Sequence, residues 1–248
     1  MSNQDPTNKI HTLLVSDLHL GSRLSRAEEF YNFLASQQIT RHEYKFNQLI
    51  LLGDIFNDLN FSKFGKFEWK IIGLIRRIND RRSNAKVVWI RGNHDSAIVN
   101  LMSQLVGVAV HEEFLCQIGE KKFLVMHGDQ FDKWVNDWPY LSKIPTKIYN
   151  FIQKVDGKRH HLSRFIKDKS KTWLRINKSV AEGIIKYAKE KQYQVDGVLC
   201  GHTHISENFL QDGIMYYNTG CWTGEHDPTY IKISHTGEVE IKEYFSPK

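Results

Sequence analysis

Leu49-Ile-Leu-Leu-Gly-Asp54 is an apolar run that ends on a glycine and a carboxylate. Strands buried on both faces of an α/β protein read as such continuous runs, and ligands gather just beyond their carboxyl ends. Asp54 therefore stands where a ligand is expected. The same grammar recurs in Thr12-Leu-Leu-Val-Ser-Asp17-Leu-His19, Val87-Val-Trp-Ile-Arg-Gly-Asn93-His94-Asp95, Phe123-Leu-Val-Met-His127-Gly-Asp129 and Val198-Leu-Cys-Gly-His202-Thr-His204. Together the five runs would carry metal-binding side chains to one rim.

The intervening sequence supplies the rest of an α/β fold. Ser25 followed by Glu28 and Glu29 reads as a capped helix start, with Phe30, Phe33 and Leu34 as its apolar stripe. Phe56 to Phe67 is an aromatic-rich loop, and Trp69 to Ile78 places apolar residues at helical spacing before a turn at Asp80-Arg-Arg-Ser-Asn. Strand, helix, strand, helix, strand implies parallel strands joined by crossovers. Ser96 to Val106 reads as a further helix, and Val108-Ala-Val, Phe114 to Ile118 and Phe123 to Met126 as short strands with a turn at Gly119-Glu120. Near the C-terminus, Ile214-Met-Tyr-Tyr-Asn, Thr229 to Ser234 and Val239 to Tyr244 are strands, and His235-Thr-Gly-Glu is a hairpin turn. Two sheets packed face to face with helices outside, an αββα arrangement, would account for both halves.

A chain of 248 residues can bury a sizeable core as one domain, and at 41% hydrophobic and 25% charged it is neither disordered nor fibrous. Cys116, Cys200 and Cys221 are far apart and odd in number, which argues against a disulfide framework and a cysteine-rich zinc site. The start of the chain has no signal-like apolar stretch and no run reaches the ~20 residues of a membrane span, so a cytoplasmic location is expected. The net charge of +6 makes an anionic partner plausible. Residues 133–192, with fifteen Lys and Arg against five Asp and Glu, carry a formal +10, so the rest of the chain is net negative; their apolar residues fall at helical spacing. They read as a helical insertion beside the rim, within a single domain spanning 1–248.

Any one His or Asp after a strand is weak evidence; the joint occurrence of Asp17, His19, Asp54, Asn93, His127, His202 and His204 is not. Two divalent ions ~3.5–4 Å apart need a bridging anion, activate a shared water and clamp the oxygens of a displacement at phosphorus. A carboxylate can bridge, and imidazole cannot. Mixed carboxylate, amide and imidazole ligation points to Mn²⁺, with Fe or Zn²⁺ as alternatives, rather than Mg²⁺.

Asp17-x-His19, Gly53-Asp54, Gly92-Asn-His-Asp95, His127 and Gly201-His-Thr-His204 resemble the five blocks of the calcineurin-like metallophosphoesterases, in that family's order across residues 17 to 204. The resemblance implies a two-sheet sandwich, one metal on Asp17, His19, Asp54 and His204, and a second on Asp54, Asn93, His127 and His202. By the same resemblance, His94 would act on the leaving oxygen and Asp95 would support the ligands. Within the family, the His127-Gly-Asp129-Gln-Phe-Asp132 block, the basic insertion and Asp212-Gly-Ile-Met-Tyr-Tyr-Asn-Thr-Gly-Cys-Trp222 are most similar to the UDP-2,3-diacylglucosamine hydrolases and their paralogues. That likeness implies a lipid-linked pyrophosphate substrate, a helical cap over the site and contact with the inner face of an anionic membrane. It makes Asp129, Asp132, Arg164, Lys167 and Lys171 candidate substrate contacts. The chain departs from those hydrolases at His94, where they carry Arg, and at Asn57, where many relatives carry an acid that orients the catalytic His. Two other readings stay open: a nuclease or nucleotide phosphodiesterase that uses the basic segment on nucleic acid, and a protein-binding scaffold on the same fold.

Overall fold

In the computed structural model, which describes residues 10–58, 60–95, 99–132 and 171–246, the run that begins at Leu49 forms strand β4 (Gln48–Leu52). It lies between β1 (Ile10–Val15) and β5 (Lys86–Ile90) and runs parallel to both. β6 (Val110–His111) extends the parallel set, while β12 (Thr229–Ser234) and β13 (Val239–Glu243) add antiparallel strands on the other side. The sheet order is β13-β12-β1-β4-β5-β6. Helices α1 (Ala27–Ser36), α2 (Lys66–Ile78) and α3 (Val99–Val106) connect the parallel strands, with a small hairpin of β2 (Gln38–Thr40) and β3 (Glu43–Tyr44) after α1.

The second sheet has the order β10 (Ser206–Gln211), β11 (Ile214–Thr219), β9 (Gly197–Cys200), β8 (Lys121–Met126), β7 (Glu113–Ile118). Its outer face is covered by α4 (Lys171–Glu190). The αββα sandwich expected from the sequence is therefore the fold observed.

Side-chain alternation explains why the site-bearing strands end in continuous apolar runs. In β4, Leu49 and Leu51 join the core beneath α1 and α2, while Ile50 and Leu52 enter the core between the sheets. β1 divides in the same way, with Leu13 and Val15 on one side and Leu14 on the other. In β8 and β9, Leu124, Met126, Val198 and Cys200 pack under α4, and Phe123, Val125 and Leu199 face the first sheet. A polar residue in these runs would lie in one of the cores, so the ligand-type side chains come just after the strand ends.

Four local readings differ from the structure. Ser25 does not cap α1: its hydroxyl donates to the Leu18 carbonyl at 2.8 Å, and Arg26 occupies the cap position without a side-chain bond. The strand expected at residues 108–110 forms at Val110–His111, with Val108 buried just before it. β10 was not apparent in the sequence because Ser-Glu-Asn-Phe-Leu-Gln is a half-exposed sheet edge. Finally, the stretch 133–192 divides: residues 133–170 lie outside the described residues, whereas α4 buries Val180, Ala181, Ile184, Ile185 and Ala188 against the second sheet. Its C-terminal part is therefore scaffold.

Trp222 links this scaffold to the rim. It is fully buried, its ring centroid lies 5.0 Å from those of Phe30 and Phe33, and its backbone N–H donates to the Asp17 carbonyl at 3.1 Å. Trp222→Ala is expected to cost about 3–5 kcal/mol, read as a drop in the denaturant midpoint. A loss below about 1 kcal/mol would show that this ring is not part of the close-packed core.

Candidate metal centre

Each parallel strand of interest stops at a tight turn, and the turn aims a side chain at one point. Asp17 and His19 follow β1, Asp54 follows β4, Asn93 follows β5, His127 follows β8, and His202 and His204 follow β9. Asp17, His19, Asp54, His202 and His204 all adopt positive φ, between 44° and 68°. Non-glycine residues rarely accept this geometry, which costs on the order of 1–3 kcal/mol each where it is strained. Backbone bonds hold the turns together: Asp17 N–H to Gly53 O and His19 N–H to Asp54 O, both 3.0 Å, and Gly201 N–H to His127 O at 3.1 Å.

Glycines beside the ligands leave room for this convergence. A Cβ on Gly201 would lie 2.6 Å from Asp17 Oδ2, and one on Gly92 would collide with the Asp54 carboxylate and backbone. Gly92→Ala should therefore displace Asp54. The expected result is loss of bound divalent metal with the melting temperature lowered by a few degrees, and wild-type metal content would refute the crowding.

The side chains form three overlapping donor groups: Asp17, His19 and His204; His19, Asp54 and His94; and Asp54, His127 and His202. Donor atoms within each group lie within 4.8 Å of one another. Asp54 Oδ2 is 3.5 Å from His127 Nε2 and 3.8 Å from His19 Nε2, while Asp17 Oδ1 is 3.2 Å from His204 Nε2. Asp17 Oδ1 and His127 Nε2 are buried and lack a hydrogen bond of acceptable geometry despite these neighbours. Among the described residues, no Lys or Arg pairs with Asp17 or Asp54. Two buried carboxylates, one with an unpartnered oxygen and both with imidazoles as their charge partners, suit a bound cation.

The outer contacts fix the rings. His127 Nδ1 meets the Leu52 carbonyl at 2.9 Å, His204 Nδ1 meets Glu225 Oε2 at 2.9 Å, and His202 Nε2 meets Asp132 Oδ2 at 3.0 Å. Tying one ring nitrogen in this way selects a tautomer and turns the other nitrogen inward. His94 is held similarly, with Nδ1 3.0 Å from the Asn57 carbonyl and its backbone N–H donating to Asp54 Oδ1 at 2.9 Å. The backbone of residue 57 thus holds His94, while the Asn57 side chain donates to Asp58, which pairs with Lys63. Asp95 is fully buried and accepts from the N–H groups of Ile55, Phe56 and Gly92, stapling the β4 turn to the β5 turn.

Charge follows from this packing. Burial opposes ionisation of Asp54 and Asp17, but His127 beside Asp54 and His204 beside Asp17 outweigh it and hold both carboxyls below the usual range. His127 is correspondingly raised to about 10 against the effect of burial, chiefly by Asp54. His19 is lowered to about 3 by burial, with His94 and His204 adding to the effect. Asp95 is raised to about 6 by burial and then by Asp54.

All seven candidate ligands therefore sit on adjoining turns of one rim, with His94 and Asp95 beside them. Asp132, a candidate substrate contact, is buried with Oδ2 3.0 Å from His202 Nε2. Asp129 opens a short turn next to His127 and acts on its charge. Arg164 and Lys167 lie outside the described residues, and Lys171 begins α4. Glu225 was not apparent in the sequence, because it follows no apolar run and lies in the loop after β11.

The strand ends of this two-sheet sandwich gather carboxylates and imidazoles, donors that divalent cations accept, around one point. The model of the calcineurin-like phosphoesterase family matches residues 10–206, and the chain belongs to that family. Its members are phosphoester hydrolases that use divalent metals, and the donor groups above could hold such ions. No curated protein matches the chain. Among solved structures it is similar to an archaeal phosphodiesterase, at 15% identity over 94% of this chain and 99% of that chain, with a TM-score of 0.49. It is also similar to vacuolar protein sorting 29 from Cryptosporidium parvum, at 18% identity over 95% and 97% with a TM-score of 0.47. A conserved protein from Streptococcus pneumoniae TIGR4, described as a predicted phosphoesterase, matches at 14% identity over 95% and 97% with a TM-score of 0.42.

Proposed function

We propose that the protein is a dinuclear-metal phosphoesterase that cleaves a phosphate diester or pyrophosphate bond, with UDP-2,3-diacylglucosamine or a related lipid or nucleotide pyrophosphate as substrate. The observation that carries this reading is the convergence of the donor groups, two of which contain Asp54. One ion would be held by Asp17, His19, Asp54 and His204, and the other by Asp54, Asn93, His127 and His202. Bound there, divalent ions would supply Lewis-acid polarisation of a phosphoryl oxygen and a lowered pKa for water.

The chain's own groups do the rest. Glu225, Leu52 and Asp132 keep their partner rings oriented, so the inward nitrogens of His204, His127 and His202 are positioned before any ligand arrives, and those of His127 and His204 have protons to give up when a cation binds. With Nδ1 of His94 tied to the Asn57 carbonyl, Nε2 is the atom that can hold a proton for the leaving oxygen. Its ring lies 4.8 Å from that of His19, edge to face, which places it beside the metal donors.

The substrate part of the proposal is supported by the positive charge of residues 133–192 and the motif resemblance. A screen of the Mn²⁺ and Zn²⁺ forms against UDP-diacylglucosamine, simple nucleotide diesters, bis-p-nitrophenyl phosphate and single-stranded DNA tests it. The expected outcome is highest kcat/KM on the lipid pyrophosphate with release of UMP. Preferential cleavage of DNA would move the assignment to a nuclease, and inactivity on every phosphoester with metals bound would move it to a scaffold.

A further inference from the structure

Helix α2 buries Ile71, Leu74, Ile75 and Ile78, and presents Lys66, Trp69, Lys70, Gly73, Arg76 and Arg77 to solvent. At 100° per residue these six positions fall within an arc of roughly 120°, a strip about 17 Å long. Arg81 and Arg82 extend it beyond the helix, and both are exposed. Among the described residues Lys66, Lys70, Arg76, Arg77 and Arg81 pair with no carboxylate, so the strip keeps its positive charge. Trp69, at 51% exposure, stands within it.

The strip begins at the metal rim. Trp69 packs on Phe64 at 5.4 Å between ring centroids, Phe64 stacks on Phe56 at 5.8 Å, and Phe56 pairs with Leu20, the residue after His19. Phe61 fills the corner, 5.2 Å from Phe64. The aromatic loop read in the sequence is therefore a single cluster joining the helix's exposed face to the turn that carries a candidate ligand.

We propose that the solvent face of α2 docks on an anionic lipid bilayer and holds the metal rim at the membrane surface. Charge complementarity selects an anion, and shape selects a surface over a strand. The cations lie on a convex face, not in a groove, and the Phe61, Phe64 and Trp69 rings pack on each other rather than standing as free platforms for bases. Lysines flanking an exposed tryptophan are suited to the headgroup region, where each cation near the surface contributes and the aromatic ring sits at the boundary. The inference rests on the proposed lipid-linked substrate only for its purpose; the docking itself needs no turnover.

The test is sedimentation of the full chain with vesicles of equal parts phosphatidylglycerol and phosphatidylcholine, against vesicles of phosphatidylcholine alone. The wild type should bind the anionic vesicles only, and binding should weaken as salt rises through the Debye-screening range. The variant carrying K66E, K70E, R76E and R77E should lose at least about 10²-fold in partition while keeping the wild-type melting temperature. The double variant K178E and K186E, on exposed and already ion-paired positions of α4, should bind as the wild type does. Asp54→Ala should also bind normally, so failure of the catalytic assignment and failure of docking are separate results. The proposal is overturned if the wild type does not partition, if the fourfold reversal binds like the wild type, or if single-stranded oligonucleotide is held more tightly than vesicles and displaces them.

Discussion

Asp54→Ala is expected to abolish metal binding at both proposed positions and to lower phosphoester hydrolysis by about 10⁴-fold or more, the scale on which a whole catalytic unit is lost. Asp54 Oδ2 faces His127 and His19, and Oδ1 accepts the His94 backbone N–H, so one side chain serves both ligand sets and the proton-handling turn. Asp17 cannot substitute for it, because its carboxylate is committed to His204 and to the backbone N–H of His202. The checks are metal content by elemental analysis and kcat/KM on a chromogenic diester, with circular dichroism showing a retained fold. Turnover within about tenfold of wild type would remove Asp54 from the centre of the account.

His94→Ala separates chemistry from binding. Its ring touches the site through Nε2 while Nδ1 is held by the Asn57 carbonyl, so removing it should lower kcat by roughly 10²–10⁴-fold and leave metal content near wild type. His94 also lies in a donor group with His19 and Asp54, which allows the opposite outcome. Metal loss equal to that of His127→Ala would make His94 a ligand and leave the proton to another group.

The parts of this molecule that were legible from sequence are those where two constraints coincide on the same residues. β1, β4, β5, β8 and β9 end in apolar runs buried on both faces, so the polar residues just after each run mark the rim. The hairpins were legible because Gly119 and Gly237 adopt positive φ that other residues resist. β10 was not, because an exposed edge needs no apolar pattern.

The supporting contacts of the site were hidden for a different reason. Two of the groups that orient histidines are backbone carbonyls, of Leu52 and Asn57, and any side chain could stand at those positions. Glu225 reaches His204 across 21 residues, from a loop whose position depends on Trp222 being packed among Phe30 and Phe33. Asp132 was singled out by the hydrolase likeness, but its contact with His202 was hidden, because it depends on the turn at Asp129–Phe131. In α4 the basic residues outnumber the acids while its apolar stripe covers the second sheet, so net charge did not show which part of the helical insertion packs on the scaffold.

If Asp54 lies between two metal ions, anomalous scattering from crystals grown with Mn²⁺ will show it. Two peaks ~3.5–4 Å apart are expected with Asp54 coordinating both, one ringed by Asp17, His19 and His204 and the other by Asn93, His127 and His202. A single peak, or two peaks with Asp54 bound to neither or only one, would contradict it.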